Sequence, residues 1–301
     1  MQLPVFKPTK KQRQWVRHER ATASFIRAFW RAASRIQRTD KEFLWFLTTA
    51  AWTNERRDGA GWESTREWRN GILAEYLGVD YATDSELGDT VSAEFPKLTA
   101  TKARTLISSY TGITHYYTAI RPRTRQYLLR HASTLADLFA TVGSTRHEVE
   151  DKIKRVATTL AHLPHITTPR GGSTPPFNPF SPVLACLDPA RRFPIMNQRT
   201  HRLLQAIGKD HDGDGALALY RLIGTHGIRD SFELDVYSQI AEKRFKPAWR
   251  RRLPITAGSQ RVVPIKSEID SIASLAARRV KIRREHNKLT NRGSVSIVVE
   301  K

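Results

Sequence analysis

Between Lys11 and Arg38 the apolar residues Ile26, Phe29, Trp30, Ala33 and Ile36 recur at spacings of three and four, which predicts one long helix with a single apolar stripe. Thr39 and Asp40 are candidate caps for a second helix, and the run Phe43-Leu44-Trp45-Phe46-Leu47 marks that helix for burial. Asp58-Gly59-Ala60-Gly61 then interrupts the pattern. The helical period returns at 64–77, 102–109, 123–142 and 144–163, the last opened by Ser144 with Glu148 close behind. Trp45, Trp52, Trp62 and Trp68 stand beside other apolar residues and read as core rather than as a base-stacking platform.

The stretch from Thr167 to Pro176 is polar, rich in glycine and proline and poor in apolar residues, so it reads as a loop. Helical patterns resume at 181–187, 198–207, 215–223 and 232–243. Near the end, 261–265 and 294–299 read as short strands flanking a basic helix at about 267–288. The expected fold is mainly α, a helical bundle with a short β-containing basic C-terminal tail. Its expected parts are a helical domain over 1–166, the loop over 167–180, a second helical region over 181–250 and the tail over 251–301.

Charge changes the picture from a plain helical protein to one that handles polyanions. The 301 residues carry a formal net charge of +21. Residues 1–60 hold 13 basic and 5 acidic side chains and residues 241–301 hold 16 and 5, so both ends are strongly basic while the middle is nearly balanced. That distribution points to DNA, expected as duplex, gripped by the ends. On the first helix Arg17, Arg20, Arg27, Arg31, Arg35 and Arg38 recur at three, four or seven, a stripe able to track phosphates or simply a solvated face. Arg170, Arg199, Arg250, Arg251 and Arg252 complete the expected DNA contacts. No apolar run approaches the roughly 20 residues of a membrane span, and no secretory signal pattern is visible. Cys186 is the single cysteine, which excludes an internal disulfide and, with these absences, leads to an expected cytoplasmic location.

Candidate chemistry concentrates between Phe177 and Gln239. There Ser181-Pro182-Val183-Leu184-Ala185-Cys186-Leu187-Asp188-Pro189 precedes Phe193-Pro194-Ile195-Met196-Asn197, and Phe232-Glu233-Leu234-Asp235-Val236-Tyr237 follows. This order resembles divergent members of the helix-hairpin-helix DNA glycosylase superfamily, including outlying ones of phage defence that act on modified cytosines. The glycine-rich hairpin of better-known members is absent, with Leu187-Asp188-Pro189-Ala190-Arg191 near its place, and Asn197 stands where the family carries its catalytic aspartate.

The resemblance implies base flipping and hydrolysis of an N-glycosidic bond, a reaction that builds positive charge on the sugar and calls for a nearby carboxylate. Asn197 can orient water but cannot take a proton, so it is either a working variant or a sign that catalysis has moved or been lost. Asp188 and Asp235 are the candidate carboxylates; a helix cap and a buried ion pair are their bland alternatives. Phe193, Met196 and Tyr237 are candidate walls for a flipped base, or ordinary core. Lys209 and Lys243 lie in polar context, which argues against a Schiff-base lysine and for monofunctional cleavage. Asp210-His211-Asp212-Gly213 begins like a calcium loop, but Arg221 occupies the position that needs a glutamate, and no metal or other cofactor is expected. The alternative to a glycosylase is a non-catalytic DNA-binding regulatory or architectural protein. A nuclease is disfavoured because no clustered carboxylates with a lysine are legible.

Overall fold

The computed structural model describes residues 3–35, 40–53, 72–80, 83–110, 114–115, 121–167 and 171–240. It is mainly α. The long helix α1 (Lys10–Arg35) is followed by α2 (Lys41–Ala50), a two-residue strand β1 (Trp52–Thr53) and a short helix α3 (72–77). Next come α4 (Asp84–Glu94), α5 (Ala100–Ser109), β2 (Thr114–His115), α6 (Arg121–Arg130), α7 (Ala132–Gly143) and α8 (Val149–Ala161). The hairpin β3 (Ile166–Thr167) and β4 (Ser173–Thr174) leads to α9 (Phe177–Leu187), α10 (Gln198–Ala206), α11 (Gly213–Leu222) and α12 (231–240). β1 pairs in parallel with β2, and β3 pairs antiparallel with β4.

Asp40 caps α2, its carboxylate accepting from the Phe43 N–H at 2.9 Å, and every residue from Phe43 to Ala50 is buried. The α1 stripe packs into an aromatic cluster. Phe25 stacks on Tyr110 with ring centres 4.4 Å apart, Phe46 stacks on Tyr76 at 4.8 Å, and Phe29 meets Phe46 and Phe95 edge-on at 5.3 Å. Trp45 and Trp52 are core, while Trp62 and Trp68 lie outside the described residues.

Several elements depart from the sequence reading. The helix expected over 123–142 is two helices, because His131, at φ −117° and ψ 26°, breaks the helical path between α6 and α7. Ser144 ends α7 instead of opening α8. The expected loop carries the β3–β4 hairpin, and it does not separate two domains: residues 1–249 form one compact unit. Helix α1 packs along α9 across the expected boundary, and Arg27 bonds to α9's end. A second unit comprises residues 250–301; the expected tail strands and basic helix fall there, outside the described residues.

Helix α9 tolerates Pro182 because the proline's missing donor is replaced locally. The Ser181 hydroxyl donates to the Asn178 carbonyl at 3.1 Å, the oxygen a normal residue at 182 would have bonded through its N–H, and it also accepts the Met196 N–H at 2.8 Å. One side chain thus repairs α9 and anchors the approach to α10.

Among the described residues, no helix is long and apolar enough to cross a membrane.

Candidate functional site

Helix α12 is buried along residues 231–238, so its polar residues must find partners inside the protein. Its acidic groups lie in two adjoining clusters. In the first, Asp230 caps the helix by accepting the Glu233 N–H at 3.0 Å, and Arg20 of α1 reaches both acids, at 2.7 Å to Asp230 and 2.9 Å to Glu233. Burial alone would raise the Glu233 pKa, but hydrogen bonds from Arg229 and Arg20 outweigh it and hold the carboxyl below its usual range.

The second cluster joins Asp235 of α12 to Asn197 and Arg199 at the start of α10. Asp235 is 1% exposed; its Oδ1 accepts the Asn197 side-chain N–H and its Oδ2 accepts Arg199 Nη1 at 2.7 Å. Asn197 is the N-cap of α10, its Oδ1 accepting the N–H groups of Arg199 at 2.9 Å and Thr200 at 3.1 Å. Both ends of the Asn197 amide are therefore committed, and its oxygen is turned to the helix instead of to water. That corrects the reading of Asn197 as a water-orienting residue in this conformation.

Glu19 of α1 joins this cluster and was not singled out in the sequence. It is 5% exposed, and its Oε2 has no hydrogen-bond partner. Burial raises its pKa well above the usual 4.5; the neighbouring Asp235 and Asp230 push the same way, against Arg199 and Arg20. A signal for it existed. Val16, Glu19, Ala23, Ile26 and Ala33 share the three- and four-residue period of the buried face, so Glu19 is a carboxylate on an apolar stripe.

Asp188 plays a different part from the one proposed for it. It is fully buried, its Oδ1 paired with Lys152 Nζ at 2.9 Å and its Oδ2 accepting the backbone N–H groups of Arg192 at 2.8 Å and Phe193 at 3.1 Å. With Arg191 in the left-handed region at φ 58°, the carboxylate closes the turn between α9 and α10. Asp188 is a turn-forming ion pair with no free oxygen for chemistry.

The candidate base-pocket walls are core. Phe193 stacks on Phe177 with ring centres 6.0 Å apart, Met196 is fully buried, and Tyr237 packs edge-on against Phe6 while donating to the Pro4 carbonyl at 2.8 Å. The candidate DNA-contact arginines divide. Arg17 and Arg31 are exposed on α1, and Arg199 is 38% exposed above Asp235. Arg27 is buried, its Nη1 donating to the Cys186 and Asp188 carbonyls at 3.2 Å each, so it caps the end of α9 and is not on the surface where the sequence reading put it. Arg170, Arg250, Arg251 and Arg252 lie outside the described residues, as does the side chain of Arg35.

The start of α1 and the chain before α12 enclose a basic cleft of about 440 Å³, lined by Lys10, Arg13, Arg17, Arg20 and Arg229 against Glu233. Among the described residues no group of three or more His, Cys, Asp or Glu side chains is arranged to hold a metal ion. Compared with protein-family models, curated proteins and solved structures, the chain matches none.

Proposed function

We propose that this chain is a DNA glycosylase that releases a modified base by hydrolysing its N-glycosidic bond. The observation supporting this reading is the carboxyl pair beneath Arg199. Asp235 sits in an ion pair, while Glu19 is driven towards its neutral form by burial and by Asp235 itself. A buried carboxyl driven towards its neutral form, beside one held in an ion pair, suits acid–base work on one bond. In this role Asp235 stabilises the positive charge developing on the sugar, and protonated Glu19 supplies a proton to the departing base. Arg199 is the partly exposed member of the group, so the substrate enters by displacing its guanidinium from Asp235.

The test is incubation with duplexes carrying different modified bases, modified cytosines included, followed by alkali to cleave at abasic sites. Asp235→Asn and Glu19→Gln are expected to lose base release while retaining DNA affinity. Base release unaffected by either substitution overturns the assignment of the pair.

A second reading, a DNA-binding protein without catalysis, is favoured by the double commitment of the Asn197 amide, which makes the residue at the family's catalytic position a structural one. Wild-type protein that binds DNA but releases none of the bases supports that reading.

A further inference from the structure

We infer that the cleft at the start of α1 is a preformed groove for the phosphodiester backbone of nucleic acid, with Lys10, Arg13 and Arg17 as its phosphate contacts. This rests on the nucleic-acid part of the proposed function and not on base excision. The charge of the cleft is unequally spent. Arg20 is neutralised by Asp230 and Glu233, and Arg229 is hydrogen-bonded to Glu233. Lys10 and Arg17 have no ion pair or side-chain hydrogen bond among the described residues, and Arg13 bonds only to the Pro8 carbonyl at 2.8 Å, which leaves its positive charge uncompensated. Among the described residues, the groove therefore presents three cations that no protein anion answers.

Their placement fits a linear polyanion. At 3.6 residues per turn, positions 10, 13 and 17 lie within about 60° of one another around the helix axis and span about 10 Å along it. That length corresponds to roughly three nucleotide steps at about 3.4 Å per strand. The first turn of α1 contains no acidic residue, so the positive end of the helix dipole adds to the same field.

The opposite wall is held in place without a ligand. The Phe6 N–H donates to the His226 carbonyl at 2.7 Å, and the Tyr237 hydroxyl ties Pro4 to α12. Gly227 supplies the left-handed backbone, at φ 79°, that this turn against Phe6 requires. Phe6 and Val16 supply a buried apolar floor. A groove fixed in this way loses little entropy when a strand enters.

The test compares two triple variants of the full chain with equal loss of charge: Lys10→Gln/Arg13→Gln/Arg17→Gln in the groove, and Lys97→Gln/Lys102→Gln/Arg130→Gln at exposed positions elsewhere. Affinity for a labelled duplex of arbitrary sequence is measured by fluorescence anisotropy across a salt series, with thermal melting as a check on folding. Each phosphate contact contributes about 0.9 to the slope of log K against log salt, so the groove variant is expected to lose about two to three from that slope. It should also lose at least tenfold in affinity at about 0.1 M salt, where the control loses much less. Equal, small losses in both variants overturn the inference. So does a groove variant that loses binding to anionic phospholipid vesicles but keeps its DNA affinity. Because the readout is affinity, a wild type that releases no base defeats the glycosylase reading and leaves this one standing, and a groove variant that binds as wild type defeats this one whatever its excision activity.

Discussion

Asn197 gives its side-chain N–H to Asp235 and its side-chain oxygen to the N–H groups of Arg199 and Thr200, so one amide joins the start of α10 to the middle of α12. The amide is suited to this because it offers a donor and an acceptor on opposite sides. A carboxylate at 197 would cap α10 equally well, since aspartate and asparagine are comparable N-caps, but it would face Asp235 with a second acceptor. Asn197→Asp is therefore expected to be destabilised near pH 8 and to recover as pH falls towards 5, where one of the two carboxyls takes up a shared proton. Denaturant unfolding at the two pH values measures it. On the proposed glycosylase reading base release is expected to fall, although the resemblance read from sequence alone suggests the reverse. A variant as stable as wild type at pH 8 would show that Asp235 does not need the donor.

Glu19 makes a pH prediction of its own. Its folded pKa lies above the usual 4.5, so from 4.5 up to the raised value the folded protein binds a proton that the unfolded chain has given up, and stability falls as pH rises through that window. The groups acting on it are Asp235 and Asp230, which favour the proton, and Arg199 and Arg20, which oppose it. Glu19→Gln keeps the shape without the titration. It should melt at a higher temperature than wild type near pH 8, with the difference shrinking towards pH 4.5. A constant difference across the range would assign the effect to packing and not to the proton.

Lys152 and Asp188 are 2% and 0% exposed, and removing one partner of such a pair strands the other charge in the interior. Lys152→Met is expected to cost about 3–5 kcal/mol. Asp188→Ala should cost at least as much, because it also abandons the N–H groups of Arg192 and Phe193. The double variant is expected to lose less than the two single losses combined, as removing both charges leaves neither unpaired. Equilibrium unfolding of the four proteins checks this. Strict additivity would mean that the ion pair itself contributes nothing.

What the sequence makes legible here follows from the range of each interaction. Periodicity and capping act within a turn or two, and α1, α2, α10 and α11 lie within about two or three residues of where the pattern puts them. Helix α4 was missed because Leu87 and Val91 are its buried apolar residues and a sparse stripe is a weak signal, yet Thr83 and Glu86 already spell a capping box. The site is harder to read. Arg199 meets Asp235 from 36 residues away, Lys152 meets Asp188 from 36, and Arg20 meets Asp230 from 210. Nothing local in the chain marks those partners, so Asp188 reads as a candidate carboxylate or a helix cap and not as the partner of Lys152. Asp235 was picked out for its place in the motif, and the structure adds what the motif could not contain: the two side chains holding its oxygens.

Arg27 and Arg17 stand ten residues apart on one helix and in sequence belong to one arginine stripe, but the structure separates them and the separation can be measured. The guanidinium of Arg27 is buried and answers the Cys186 carbonyl, which the end of α9 leaves without a helical partner, together with the Asp188 carbonyl, which also accepts the Arg191 N–H. Arg17 is exposed in the basic cleft without an ion pair or side-chain hydrogen bond among the described residues. Arg27→Met should thus lower stability by about 1–3 kcal/mol, the cost of leaving a buried acceptor unmade. At a temperature where it remains folded, it should bind DNA with the salt slope of wild type. Arg17→Gln should do the opposite, leaving the unfolding midpoint within about 0.5 kcal/mol of wild type while reducing the slope by about 0.9. The pair of measurements decides between a stripe that acts as one surface and a helix whose faces have separate tasks. If Arg27→Met loses slope as Arg17→Gln does, its guanidinium must leave α9 to reach phosphate when DNA binds.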